Sequence, residues 1–492
     1  MKNIAHRFYQ RLSSTRVGLI AFAALALVTG VMIGFSETPS TGPHSPPPPL
    51  DPVSLQSIGS GEIKLTGRLS QTKLVQGSND AIYLSLDLEA PANTAPIAPK
   101  TATDMIVVLD HSGSMAEENR LPFARQAIID LLNRLTAEDR FALVMFDSSA
   151  EIVSELTAVT PAERERLIQI VNTIQPGSGT NMSEGLFKAK DFALRSASPH
   201  SRKVLLLSDG EANEGITQPT ELNRIARSIN NTGLILSTIG LGLGFNETLM
   251  ASLADHGMGS YAYLEHLGGL GTILAQNLSD LRKVYAPSSE LELALAPGIV
   301  LLDAGGYPLS HTAPGVVRVP TGQILSRVKR SLTLTFNAPT GDLGEFALGD
   351  VRLRYQLATG PAEVRLSSDK LKLAVLPAER RSEVVASVDQ AVVKESWLGN
   401  NLGRLKAAYR DAVSAGDKDK ARAALDNYSN ETQQIEAALG ASIVDEKTKS
   451  ELKHMDQELD DAFAGKPAEQ ALKQNRLSKK AHAEGLKAQR SK

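Results

Sequence analysis

Residues 104–120 read DMIVVLDHSGSMAEENR. Met105–Leu109 is an apolar run without alternation, and it ends on Asp110, His111, Ser112, Gly113 and Ser114. An unalternated apolar strand is one covered on both faces, as in a parallel sheet flanked by helices. A carboxylate and two hydroxyls at its carboxyl end are hard oxygen donors, placed where open α/β sheets collect their ligands.

The same pattern continues along the chain. Apolar strands are expected at Met105–Leu109, Phe141–Phe146, Val204–Leu207 and Leu234–Ile239, alternating with helices at Leu121–Leu135, Pro161–Ile174, Met182–Leu194, Thr220–Asn231, Glu247–Asp255 and Gly269–Val284. Strands and helices in strict alternation give a doubly wound, mostly parallel α/β domain, assigned to residues 103–285. Residues 61–102 and 286–377 alternate apolar and polar positions instead, for example Ile82, Leu84, Leu86 and Leu88, or Leu332, Leu334 and Phe336. Such half-buried strands predict a small antiparallel β-sandwich into which the α/β domain is inserted. Residues 378–465 are rich in Ala, Glu, Lys, Gln and Leu with a break at Ala415–Asp417, which predicts a helical hairpin. Residues 466–492 carry eight Lys or Arg against two acids and read as a solvated, disordered basic tail, with anionic lipid or another polyanion as the alternative.

The amino terminus points to a membrane. Basic residues lie in segment 1–16, and Val17–Phe35 is an apolar run whose only polar side chain is Thr29. As a helix it reaches about 28 Å, enough to span a bilayer once. Its basic flank keeps residues 1–16 cytoplasmic and sends the bulk of the chain across the membrane, to the periplasm or cell surface. A cleaved signal peptide followed by secretion is the alternative. Residues 36–60 contain Pro46–Pro49 and read as a stiff linker.

Composition removes several function classes. The 492 residues contain no cysteine, which excludes disulfides, Cys-ligated metals and thiol nucleophiles. A net charge of −3 gives no basic field for nucleic acid. With 42% hydrophobic residues the chain can fill real cores.

Two further loops complete the oxygen cluster. Asp209 ends the strand Val204–Leu207 in LLLSDGEANEG, and Thr180 in PGSGTNMSEG precedes a helix starting near Met182. Asp110, Ser112, Ser114, Thr180 and Asp209 thus offer two carboxylates and three hydroxyls to one crevice, a set suited to Mg²⁺, or to Mn²⁺ or Ca²⁺ with less specificity. His111 falls at the alternate position and is expected to point away. The glycines of GLGLGF at 240–245 fit neither phosphate-loop spacing and read as a turn after Ile239.

The Asp-x-Ser-x-Ser loop of Asp110, Ser112 and Ser114, with Thr180 in GSGTN and Asp209 in SDG, resembles the metal ion-dependent adhesion site of von Willebrand factor type A domains. The resemblance covers residues 104 to about 285, and all five positions match. It implies that these five residues hold a divalent cation directly or through water, and that an Asp or Glu carboxylate of a protein partner completes the shell. It also implies coupling between Thr180 and movement of the last helix, Gly269–Val284. The flanking regions resemble bacterial membrane-anchored proteins with this domain. The expected function is therefore a non-catalytic, membrane-anchored binding module. A scaffold subunit of a membrane complex and a magnesium-dependent hydrolase are the other two readings. Against the hydrolase, the serines read as ligands rather than elbow nucleophiles, and no base is evident beside them.

Overall fold

The computed structural model describes residues 62–490 apart from 79–80, 92–101, 196–197, 199, 210–211, 243–244, 265–266 and 440–441, together with two strand fragments, Leu55–Gln56 and Ile58–Gly59. The expected membrane segment Val17–Phe35 lies outside the described residues. Among the described residues no helix is long and apolar enough to cross a membrane.

Strands β1 (Lys64–Leu69) and β2 (Ile82–Glu89) come first. The α/β domain follows with β3 (Thr103–Asp110), β4 (Arg140–Phe146), β5 (Ala150–Ala158), β6 (Ser201–Ser208), β7 (Ile235–Leu241) and β8 (Met258–Leu264). Its helices are α1 (Arg120–Arg134), α2 (Pro161–Thr173), α3 (Met182–Arg195), α4 (Pro219–Asn230), α5 (Glu247–His256) and α6 (Leu270–Leu281). The sheet runs in the order β8-β7-β6-β3-β4-β5, parallel throughout except for the antiparallel edge strand β5.

The absence of alternation in β3 has its explanation in the two layers of helices. Met105, Val107 and Leu109 pack with apolar residues of α1, α2 and α6, while Ile106 and Val108 pack with those of α3, α4 and α5. Every residue of β3 is buried. Helix starts follow local chemistry: the Thr160 hydroxyl accepts from the Glu163 N–H ahead of Pro161, and the Asn246 side chain accepts from Leu249 N–H.

The strand order reverses between β3 and β6, which is the topological switch point of the sheet. Asp110 stands at the carboxyl end of β3, and Asp209 directly follows β6.

After the α/β domain come β9 (Ser289–Leu295), β10 (Val300–Ala304), β11 (Val316–Pro320), β12 (Lys329–Asn337), β13 (Gly349–Leu357) and β14 (Gly360–Leu366). β1 and β2 pair with β12 and β10 in one sheet, and β11, β9, β13 and β14 pair in the facing one. Chain from both sides of the α/β domain therefore shares one core, in which Leu84, Leu86, Leu334, Phe336, Leu291 and Leu353 are buried. The linker assigned to 36–60 is too long. Leu55–Gln56 pairs with β1 and Ile58–Gly59 with β14, because backbone groups at two sheet edges are free to accept a short strand.

The carboxyl-terminal region departs further from its reading. Instead of one hairpin there are α7 (Arg381–Ala386), α8 (Gln390–Ser414), α9 (Lys418–Leu439), α10 (Glu446–Ala462) and α11 (Pro467–Gln489). The segment read as a disordered tail is α11. It lies along α8 where two glycines allow close approach, a Cβ on Gly485 falling 3.1 Å from Lys406 Cβ. Four basic residues of this segment, Lys473, Lys479, Lys480 and Arg490, are paired with acids of the fold. Lys479 pairs with Glu247 at 2.7 Å, Lys473 with Asp461 at 3.0 Å, and Arg490 with Asp255 at 2.8 Å. Two of these acids belong to α5, far away in sequence, so no local pattern announces them.

Lys203 lies inside β6 with no exposure and donates from Nζ to Asn277 Oδ1 at 2.9 Å. Burial lowers its pKa from 10.5 to about 8. A base with a lowered folded-state pKa destabilises the fold wherever it is charged. The cost, about 3 kcal/mol, is full below pH 8 and vanishes as pH rises to 10.5. Lys203→Met should therefore raise the unfolding free energy by about 1–3 kcal/mol at pH 7, with a gain that shrinks above pH 8. Scanning calorimetry at pH 7 and again above pH 8 checks this, and a lower Tm at pH 7 would contradict it.

Candidate metal centre

Asp110 is fully buried and anchors the first loop. Its Oδ1 accepts from the Ser112 N–H at 2.9 Å and its Oδ2 from the Ser208 hydroxyl at 2.6 Å. The turn this creates sends Ser112 and Ser114 to the same side, with their Oγ atoms 3.1 Å apart. Met115, with no exposure, pins the loop to the core behind them. The Ser114 hydroxyl donates to Asp209 Oδ1 at 2.8 Å, so an unbroken series of oxygens runs from β3 to the end of β6.

Thr180 is placed by its backbone. Its N–H donates to Asn213 Oδ1 at 2.9 Å, and its carbonyl accepts from Asn213 N–H at 3.2 Å. Its loop is tied to the first one by Gly113 N–H to Ser178 O at 2.9 Å and Gly177 N–H to His111 O at 2.6 Å. Asp110, Ser112 and Asp209 are at most 1% exposed and Thr180 4%, so the cluster is shielded from bulk water on most sides.

Thus Asp110, Ser112, Ser114 and Asp209 are joined by side-chain hydrogen bonds, and Thr180 stands on a loop laced to theirs. His111 Nδ1 lies 3.0 Å from Gln175 O, turned to the neighbouring backbone. Gly240 lies within β7, and the turn begins at Gly242 with φ +72°. Asn213 thus braces Thr180.

Sequence reasoning missed three side chains here. Ser208 holds Asp110. Asp147, at the end of β4, accepts from Ser149 N–H at 3.0 Å and from Ser178 N–H at 3.3 Å, which braces the second loop. Arg120, 5% exposed, donates from Nη1 to Asp209 Oδ2 at 2.7 Å and from Nη2 to Glu118 Oε2 at 3.0 Å. One signal for Arg120 was available: a cation in the first helical position opposes the helix dipole and needs acidic partners close by.

The donor set fits a divalent ion. Burial pushes the Asp110 carboxyl up to about 6 against the hydrogen bonds from Ser208 and Ser112, and the Asp209 charge adds to the rise. Two buried carboxylates in one crevice are stabilised by a dication, while the hydroxyls add neutral oxygen donors and no charge. Among the described residues no trio of histidine and acidic side chains converges as a cage, so hydroxyls have to supply part of any shell.

A mixed sheet with helices on both faces and a switch-point crevice lined by Asp, Ser and Thr defines a class. The sequence profile of the von Willebrand factor type A domain matches residues 104–275, and that part of the chain is a domain of this family. The solved structure of a von Willebrand factor type A protein from Catenulispora acidiphila superposes with a TM-score of 0.60 over 84% of this chain and 92% of that one, at 18% identity. The shared fold thus extends past the α/β domain. The chain is also similar to protein sll0103 of Synechocystis, 25% identical over 333 residues, which is 65% of this chain and 76% of that protein. Protein YfbK of Escherichia coli is 25% identical over 201 residues, 40% of this chain; the chain spans 35% of YfbK's length.

Proposed function

We propose that this chain is a non-catalytic binding module in which Asp110, Ser112, Ser114, Thr180 and Asp209 hold a divalent cation, Mg²⁺ foremost, that grips an Asp or Glu carboxylate of a protein partner. The observation that carries this reading is the continuous hydrogen-bonded series Ser112, Ser114, Asp209 beside the buried Asp110. Two carboxylates only balance a dication, and Arg120 already neutralises part of Asp209, so an incoming carboxylate is attracted rather than repelled. The family match to 104–275 supports a role in protein–protein interaction or adhesion. A hydrolase finds no support in the geometry: Ser112 and Ser114 bond to each other and to Asp209, not to a base. The membrane anchor at Val17–Phe35 and an extracytoplasmic location belong to the same proposal and rest on the sequence alone.

The test is capture of partners by the full chain, with magnesium or with chelator, beside a variant carrying Asp110→Ala and Ser112→Ala. Partners lost from the variant and from the chelated sample are expected. Partners kept in all samples would shift the role to a scaffold built on the sandwich and helices.

A further inference from the structure

The cation site has a built-in neighbour that the reading above does not use. Arg120 opens α1 at its amino end, where the helix dipole disfavours a cation, yet it is 5% exposed. Its guanidinium is held on several sides: Asp209 Oδ2 at 2.7 Å, Glu118 Oε2 at 3.0 Å and the Ser114 carbonyl at 3.3 Å, with the Glu117 carboxylate 3.9 Å away. The surrounding backbone is shaped to receive it. Glu118 and Asn119 both adopt left-handed φ, 51° and 59°, which side chains with a Cβ rarely do. Across the crevice Gly242 has φ +72°, and a Cβ there would fall 2.7 Å from Arg120 Nε.

We propose that Arg120 is a fixed internal cation that sets the strength and selectivity of the divalent-ion site. The inference rests on the metal-binding reading of Asp110, Ser112, Ser114, Thr180 and Asp209. Arg120 occupies Asp209 Oδ2, so only Oδ1, the oxygen facing Ser114, is left to the ion. A carboxylate limited to one oxygen favours a compact octahedral shell and disfavours Ca²⁺, which takes six to eight oxygens and accepts carboxylates in bidentate fashion. The positive charge also repels the dication and weakens its hold, which keeps the bound ion electrophilic toward an outside carboxylate. A lysine reaches one acceptor as a point charge. The planar fork of arginine engages Asp209 and Glu118 together.

Titration calorimetry and thermal shift with MgCl₂ and with CaCl₂ test this on the full chain as wild type, Arg120→Met, Arg120→Gln and Arg120→Lys. Removing the charge in the Met and Gln variants should tighten Ca²⁺ at least about tenfold and Mg²⁺ by less, so that magnesium preference falls. Arg120→Lys should stay near wild type in both, because the charge remains. Glutamine preserves a hydrogen-bond donor toward Asp209, so it keeps the test open where the Met variant does not fold without cation. Affinities that are unchanged or weaker for both cations in the Met and Gln variants would overturn the role of Arg120 while leaving the site itself standing. A wild-type chain that binds neither cation overturns both readings.

Discussion

Replacing Asp110 by alanine should abolish magnesium binding and leave the fold in place. Asp110 supplies one of the two carboxylates in the crevice, and through Oδ1 it sets the turn that aims Ser112 and Ser114. Losing both the charge and the turn should cost at least about a hundredfold in cation affinity, more than the loss of an outer-shell partner. Stability without metal should change little. Burial raises the Asp110 pKa to about 6, so at pH 7 its charge costs the folded state stability, and relief of that cost offsets the two hydrogen bonds that alanine loses. Thermal unfolding with and without MgCl₂ checks the prediction: wild type should be stabilised by the cation and Asp110→Ala should not. Equal shifts in the two proteins would remove Asp110 from the site.

Asp104, at the opposite end of β3, carries the largest expected stability effect. It has no exposure and accepts from Arg140 Nε at 2.8 Å, with His200 Nδ1 also 2.8 Å away and Arg202 Nε at 3.4 Å. Burial works to raise its pKa, but the hydrogen bonds from Arg140, Ser198 and His200 win and hold the carboxyl below its usual 3.8. Asp104→Ala leaves the buried Arg202 and the part-buried Arg140 without a counter-charge, which should cost about 3–5 kcal/mol. A depressed carboxyl pKa contributes stability above the unfolded-state value and loses it as pH falls through the folded-state value. The gap between wild type and variant should therefore be full at pH 7 and close in acid below 3.8. A difference under about 1 kcal/mol in denaturant unfolding at pH 7 would show the pair to be dispensable.

The contrast between these two aspartates shows what a sequence carries. Asp110 was legible because the Asp-x-Ser-x-Ser spacing and the strand end fall together, and because Thr180 and Asp209 sit at equivalent loop positions. Asp104 begins a run of apolar residues and shows nothing of Arg140, His200 or Arg202, which reach it only when β3, β4 and β6 align. The parallel strands were readable since both faces are buried. β5 was missed because AEIVSELTA mixes charge into an edge strand, and β8 because glycine, serine and tyrosine blur its pattern. In α11 the buried face is Leu477, Ser478, Lys479, Ala481, His482 and Gly485, mostly small or polar, and Lys479 is neutralised by Glu247 of α5, so the composition imitates a solvated tail. The partners of Arg120 were hidden for a related reason: Asp209 and Gly242 shape its place from far along the chain.

Manganese anomalous diffraction from crystals of the protein grown or soaked with MnCl₂ tests the central claim most directly. One peak per chain is expected within about 2.5 Å of side-chain oxygens of Asp110, Ser112 and Ser114, with Thr180 and Asp209 coordinating directly or through water. A peak elsewhere, or none in the crevice between β3 and β6, would contradict it.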